Sequence, residues 1–158
     1  MEVRLAGVNA ESVTDGVGLR AVAYLQGCTH ACPGCHNPAS HSLTGGYLAD
    51  TDDVLDTLLS NPLLSGLTIS GGEPLLQAEA TLALAAGAKA RGYSVWLYTG
   101  YVLQELAAHP LSERILGVVD VLVDGPYLAE ERDLALPYRG SRNQRLLRPA
   151  DWSHLFSR

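Results

Sequence analysis

Short apolar runs alternate along this chain with segments of helical period. The first run, LRAVAYL at 19–25, is apolar enough for a buried strand, and the DGVG turn at 15–18 delivers the chain into it. A helix is predicted from Asp50 or Thr51 to about Ser60. Either residue can cap it, Asp52 and Asp53 suit the positive end of its dipole, and Asn61-Pro62 stops it. GLTIS at 66–70 reads as a second strand closed by Gly71-Gly72. The best helical pattern covers 75–91, with Leu75, Ala78, Leu82, Ala85 and Ala86 on one face and Gly92 ending it. YSVWLY at 93–98 is a third strand, 103–108 a helix halted before Pro110, and Ser112 the cap of a further short turn. A fourth strand at 118–123 runs into Asp124-Gly125-Pro126. From Tyr127 onward the pattern is irregular and predicts no element.

Strand alternating with helix implies a parallel α/β sheet with right-handed crossovers. The carboxyl ends of the strands carry the chemistry. They run into a cysteine loop, into Ser70-Gly71-Gly72-Glu73-Pro74, into Tyr98-Thr99-Gly100 and into Asp124-Gly125. In parallel α/β architectures ligands bind at that edge, so these four turns predict one active-site rim.

Composition narrows the class. A chain of 158 residues, 47% apolar and 18% charged, predicts a single folded domain over 1–158. The net charge of −6, without a Lys/Arg run, argues against a nucleic-acid or anionic-membrane partner. Residues 1–10 include Glu2, Arg4 and Asn9 and lack the apolar core of a signal peptide. The most apolar segment, 75–90, is interrupted by Gln77, Glu79, Gly87 and Lys89 and falls short of a membrane span. With reduced thiols, these features predict a cytoplasmic protein.

All three cysteines stand in eight residues, Cys28-Thr29-His30-Ala31-Cys32-Pro33-Gly34-Cys35. An odd number of thiols so close together is neither a disulfide framework nor scattered core packing. A shared metal site is the economical reading, and thiolates select zinc, copper(I) or an iron–sulfur cluster. His30 or His36 would complete a Cys3His zinc site of structural type. A four-iron cluster normally takes four cysteines, so three would leave one iron open to a small molecule. Gly71-Gly72 alone is an ordinary tight turn, and Glu73 a first-turn acid ahead of Pro74. Beside an open iron, the same glycines would let backbone approach a ligand's ammonium group.

Cys-x3-Cys-x2-Cys after the first strand, with SGGEP after the second, resembles the radical S-adenosylmethionine (radical SAM) enzymes. DGVGLR (15–20), QGCTHACPGCHNP (26–38), TISGGEPL (68–75) and VWLYTGY (95–101) resemble their glycyl-radical activase branch. VDVLVDGPY (119–127) and RGSRNQR (139–145) resemble the activases of anaerobic ribonucleotide reductase within it. Two positions depart from the pattern. Val17 stands where the activases usually have proline, and Gly34 where the wider superfamily has an aromatic residue, leaving His36 as a donor of adenine stacking.

The resemblance implies an incomplete parallel (β/α) barrel of about five or six strands, its core at about 15–147. It implies a [4Fe–4S] cluster on Cys28, Cys32 and Cys35 and S-adenosyl-L-methionine on the fourth iron, with Gly34, Cys35, His36, Ser70, Gly71, Gly72, Glu73, Thr99 and Asp124 around the cofactor. No catalytic side chain is implied beyond these groups. The implied partners are a glycyl-radical reductase, the large subunit of anaerobic ribonucleotide reductase, and a low-potential donor such as flavodoxin or ferredoxin. Another radical SAM activity, on pyruvate formate-lyase or a small molecule, and a Cys3His zinc domain are the alternatives. Arg139, Ser141, Asn143 and Gln144 read as a docking segment or as a polar surface loop.

Overall fold

A computed structural model describes residues 1–157. Its strands are β1 (Glu2–Ser12), β2 (Arg20–Leu25), β3 (Tyr47–Asp50), β4 (Gly66–Gly71), β5 (Ser94–Tyr98), β6 (Val121–Asp124) and β7 (Arg145–Leu147). They form one seven-stranded sheet in the order β3-β1-β2-β4-β5-β6-β7. The helices are α1 (Thr51–Leu58), α2 (Ala78–Ala90), α3 (Leu103–Leu106), α4 (Ser112–Leu116) and α5 (Pro149–Trp152). None is long and apolar enough to cross a membrane.

The predicted strands form the parallel centre, β2-β4-β5-β6. The expectation of about five or six parallel strands is corrected by β1 and β7, which run antiparallel to that centre, and by β3, which pairs antiparallel with β1 alone; the fold is mixed α/β. These three strands carry little hydrophobic signal of their own. In β1 only Val3, Leu5 and Ser12 are buried, β3 has no fully buried residue, and β7 is three residues long. Hydrogen bonding to an existing sheet edge supplies what their side chains do not.

Local sequence explains the helix starts. The Asp50 carboxylate accepts the Asp52 and Asp53 N–H groups at 2.9 and 3.3 Å, capping α1 as its sequence predicts. Pro74 opens a single 3-10 turn, Pro74–Gln77, before α2 begins. That tighter turn changes the phase of the helix. Ala78, Thr81, Leu84, Ala85 and Ala88 are buried, whereas Leu82 and Ala86 are only half-buried.

The pleat divides the central strands between two environments. Ala21, Ala23 and Leu25 of β2, Leu67 and Ile69 of β4, Val95 and Leu97 of β5 and Leu122 of β6 belong to the main core with the helices. The opposite face carries Arg20, Val22, Thr68, Trp96 and Val121, aligned by the strand register. Trp96, Val121 and Val123 form a second small core with Tyr138 and Leu146. The irregular segment after Tyr127 thus covers the face the helices leave open. Toward the carboxyl ends this face turns polar, with Tyr24, Ser70 and Tyr98 reaching a cleft.

Candidate functional site

Two glycines set the floor of the site. Gly71 has φ +107°, and a Cβ there would overlap the backbone of Leu25. A Cβ on Gly72 would overlap the carbonyl of Gly27, where the cysteine loop begins. Gly72 N–H donates to Leu25 O and Glu73 N–H to Gly27 O, both at 2.8 Å. The close approach these glycines permit is therefore first to the neighbouring strand end, which fixes the SGGEP turn against the cysteine loop.

The cysteine loop leaves β2 through Gly27, whose N–H donates to Ser40 O at 2.6 Å, while Cys28 N–H donates to His41 O at 3.2 Å. Cys28, Cys32 and Cys35 are free, half-buried thiols, and all three border a cleft of about 310 Å³. Burial and the nearby Glu73 carboxylate push the Cys28 thiol above its ordinary pKa, although a backbone hydrogen bond at His30 opposes them. Such a thiol is held protonated until a cation takes the proton's place.

The donor set fits a cluster: three thiols of one loop border one cleft, each available to a different iron of a [4Fe–4S] cluster.

Of the other expected residues, His36, Ser70, Gly71, Gly72 and Thr99 border the cleft. The His36 ring lies 4.6 Å from that of Tyr127, forming an aromatic wall after the last cysteine. Gly34, Glu73 and Asp124 do not border it. Gly34, at φ +73°, turns toward Ala129 and Tyr127. Glu73 is fully buried, and protein groups occupy its carboxylate. Oε1 accepts Leu75 N–H and Thr99 Oγ1–H at 2.9 Å; Oε2 accepts Gly100 N–H at 2.8 Å and lies 2.6 Å from His30 Nε2. That bond raises the His30 pKa, against its partial burial. Asp124, also fully buried, accepts Leu103 N–H at 2.8 Å and the Arg145 guanidinium, Nε at 3.0 Å. Both acids brace the rim from behind, their carboxylates taken up by protein donors.

RGSRNQR acquires a structural role from the same geometry. Gln144 Oε1 accepts Gly140 N–H at 2.9 Å, and its Nε2 donates to Gly125 O at 3.2 Å. Asn143 Nδ2 donates to Pro126 O at 2.7 Å, and the buried Ser141 hydroxyl accepts Leu128 N–H at 3.2 Å. The segment clamps the turn after β6 and, through Gly140 and Gln144, walls the cleft.

Asp15, Tyr24 and His41 also line the cleft, unanticipated from sequence, together with His30 of the cysteine loop and Tyr98 of the third strand's end. Tyr24 was legible in principle, since as the penultimate residue of β2 it points, like Tyr98 at the end of β5, to the face opposite the helices. His41 had no such signal; a long loop returns it to the cleft.

Comparison with known proteins agrees with the geometry. A family model described as 4Fe-4S single cluster domain matches residues 14–147. The anaerobic ribonucleoside-triphosphate reductase-activating protein of Haemophilus influenzae is 39% identical over 142 residues, which cover 84% of this chain and 89% of that one. Its Pasteurella multocida counterpart is 35% identical, covering 86% and 91%, and that of Enterobacteria phage T4 is 35% identical, covering 89% and 92%. In fold, the chain is similar to the crystal structure of QueE from Escherichia coli, with a TM-score of 0.58 at 17% identity over 93% of this chain. It spans 65% of QueE's length, just under two thirds. A single-cluster family model and activating proteins aligned over most of their length converge on one conclusion: this chain belongs to the family of anaerobic ribonucleoside-triphosphate reductase-activating proteins.

Proposed function

We propose that the chain is a radical SAM activase that generates a glycyl radical on anaerobic ribonucleotide reductase. The observation that carries this is three thiols of one loop on a cleft at the carboxyl ends of four parallel strands. Cys28, Cys32 and Cys35 would hold three irons of a [4Fe–4S] cluster, leaving the fourth for S-adenosylmethionine. When bound and reduced by an external one-electron donor, the cluster would supply the electron for cleavage of S-adenosylmethionine to methionine and a 5′-deoxyadenosyl radical, the chemistry that would take a hydrogen atom from a backbone glycine of the reductase.

The chain's own residues bind, orient and exclude. Ser70, Gly71, Gly72 and Thr99 present the rim to the methionine end, and His36 with Tyr127 offers an aromatic wall for the adenine. Glu73 and Asp124 act by positioning the turns in front of them. Tyr24 and Tyr98 close the inner end of the cleft and keep water from a reactive intermediate. An adjoining hollow of about 530 Å³, which shares Asp15, His36, Tyr98 and Gly140 with the cleft, admits the partner's glycine. The parallel strands are the wall of an incomplete barrel, residues 1–158 form one domain with its core at 15–147, and the protein works in the cytoplasm with flavodoxin or ferredoxin as electron donor.

The test is anaerobic reconstitution with iron and sulfide, then reduction with S-adenosylmethionine and the purified reductase. About four irons per chain, release of 5′-deoxyadenosine and a glycyl-radical doublet on the reductase are expected. A chain that binds one zinc and cleaves nothing would overturn the proposal.

A further inference from the structure

One side chain in the cysteine loop is held far more firmly than its neighbours. A backbone bond ties the loop at its start, where Cys28 N–H donates to His41 O, and Cys35 N–H closes a turn within it on Cys32 O. Across 29–36, among the described residues, the His30–Glu73 bond is the one side-chain hydrogen bond to the rest of the protein. Its acceptor is fully buried, and the Thr99 hydroxyl, Gly100 N–H and Leu75 N–H share its oxygens. The imidazole stands edge-on to Tyr101, with ring centres 4.6 Å apart. It fills the space where a side chain on residue 100 would begin, since a Cβ on Gly100 would lie 2.6 Å from His30 Cδ2. The loop, the turn after β4 and the turn after β5 therefore meet at one carboxylate.

The next residue shows what this anchor resists. Ala31 has φ +53°, a left-handed conformation uncommon for a residue with a Cβ. Such strain persists where the surrounding structure over-determines it. The His30 ring, pinned one residue earlier, supplies that constraint, and the left-handed step turns the chain so that Cys32 faces the same cleft as Cys28.

We propose that His30 is a positioning residue for the cluster: clamped by Glu73 and Tyr101, it holds the Cys28–Cys32 arm in the conformation that spaces the thiols for iron. The inference rests on the cluster reading above and deepens it. The predicted consequence concerns cluster retention and electronic environment, not chemistry at the imidazole.

The test compares reconstituted wild type with His30→Ala, His30→Gln and Gly100→Ala. A glutamine carries an N–H near the place of Nε2 and still reaches Glu73. Gly100→Ala leaves the cysteine loop untouched but drives its Cβ into the His30 ring. The readouts are iron release to a chelator, the electron paramagnetic resonance spectrum of the reduced cluster, and apo-protein melting as a check on the fold. His30→Ala and Gly100→Ala should lose iron about tenfold faster, a change in release barrier near 1.4 kcal/mol, with an altered reduced spectrum; His30→Gln should return toward wild type. In the double variant His30→Ala/Gly100→Ala the ring is absent, so the second change should add nothing. If folded His30→Ala and Gly100→Ala both match wild type in release rate and spectrum, the proposal is overturned while the activase reading stands. If His30→Ala does not fold, Gly100→Ala alone decides it. If wild type takes up no cluster, the activase reading falls and this proposal with it.

Discussion

Replacing Arg20 by methionine removes a charge that the interior holds without an acidic partner in contact. The side chain is 1% exposed, and all five of its guanidinium hydrogen bonds end on neutral oxygens. Nε donates to Thr68 Oγ1 at 2.9 Å, Nη1 to Val17 O and Ser94 Oγ, and Nη2 to Leu67 O and Ser94 O, both at 3.0 Å. The guanidinium carbon stands 5.6 Å from the centre of the Trp96 ring. One side chain thus joins the entrance to β2, the start of β4 and the start of β5. Burial pulls its pKa down to about 10, opposed by Asp120 and Tyr98, which corresponds to a charging penalty of about 3 kcal/mol at neutral pH. Methionine keeps the volume and removes that penalty. It also forfeits five hydrogen bonds at about 1 kcal/mol each and leaves buried carbonyls without a donor, at about 1–3 kcal/mol. The balance is a net loss of about 3–5 kcal/mol, a large share of an ordinary domain's stability. In urea, with a slope of about 2 kcal/mol per molar, the far-ultraviolet dichroism midpoint should fall by about 1.5–2.5 M. Arg20→Lys, which keeps the charge but not the planar fork, should fall between the two. A midpoint within about 0.5 M of wild type at unchanged slope would refute the reasoning, because the relieved penalty would then match everything the guanidinium holds.

Three further outcomes are expected. Gly72→Ala, whose Cβ would overlap the Gly27 carbonyl, should cost about 1–3 kcal/mol in thermal unfolding and impair cluster loading; unchanged melting and loading would mean the turn has room it does not show. Cys32→Ala should leave the apo-protein folded, with unchanged far-ultraviolet dichroism, but abolish retention of the four-iron cluster; full S-adenosylmethionine cleavage by that variant would remove the loop from the mechanism. At the sheet edge, the Met1 amine donates to Asp50 at 3.0 Å, lowering the pKa of that carboxyl from 3.8 and raising that of the amine from 8.0. The carboxylate's contribution is present above pH 3.8 and lost as pH falls through its depressed value, and the amine's is lost as pH rises through its raised value. Asp50→Asn, which preserves a good helix cap, should lower the melting temperature modestly at neutral pH but not in strong acid or strong alkali; a loss equal at all three would point to capping instead.

Much of this architecture is legible in the sequence because it is written locally. The strands β2, β4, β5 and β6 are apolar runs that need no partner to be recognised, and Asp50, Gly92 and Pro110 punctuate the helices between them. The three cysteines sit within eight residues, so a thiolate metal site follows from spacing alone. Their placement at a strand's carboxyl end puts them on a ligand-binding rim. The edge strands β1, β3 and β7 lie beyond such reading, because their stability comes from pairing with a neighbour.

Which acids face the cleft was decided by tertiary structure. Glu73 and Asp124 have the sequence context of ligand residues, yet each is taken up by groups distant along the chain: Glu73 by His30 and Thr99, Asp124 by Arg145. A carboxylate with buried donors within reach satisfies them first, because leaving them unpaired costs more than any exposed contact returns. The identity of those donors depends on how three turns converge, and no periodicity records that. The sequence by itself determined the parallel centre, the rim and the thiol chemistry. Only the folded chain decided that the glycines pack strand against loop, that RGSRNQR walls the cleft, and that one buried carboxylate holds the cysteine loop in place. Periodicity and spacing reflect interactions within a few residues, whereas the site's second layer consists of contacts between residues tens of positions apart.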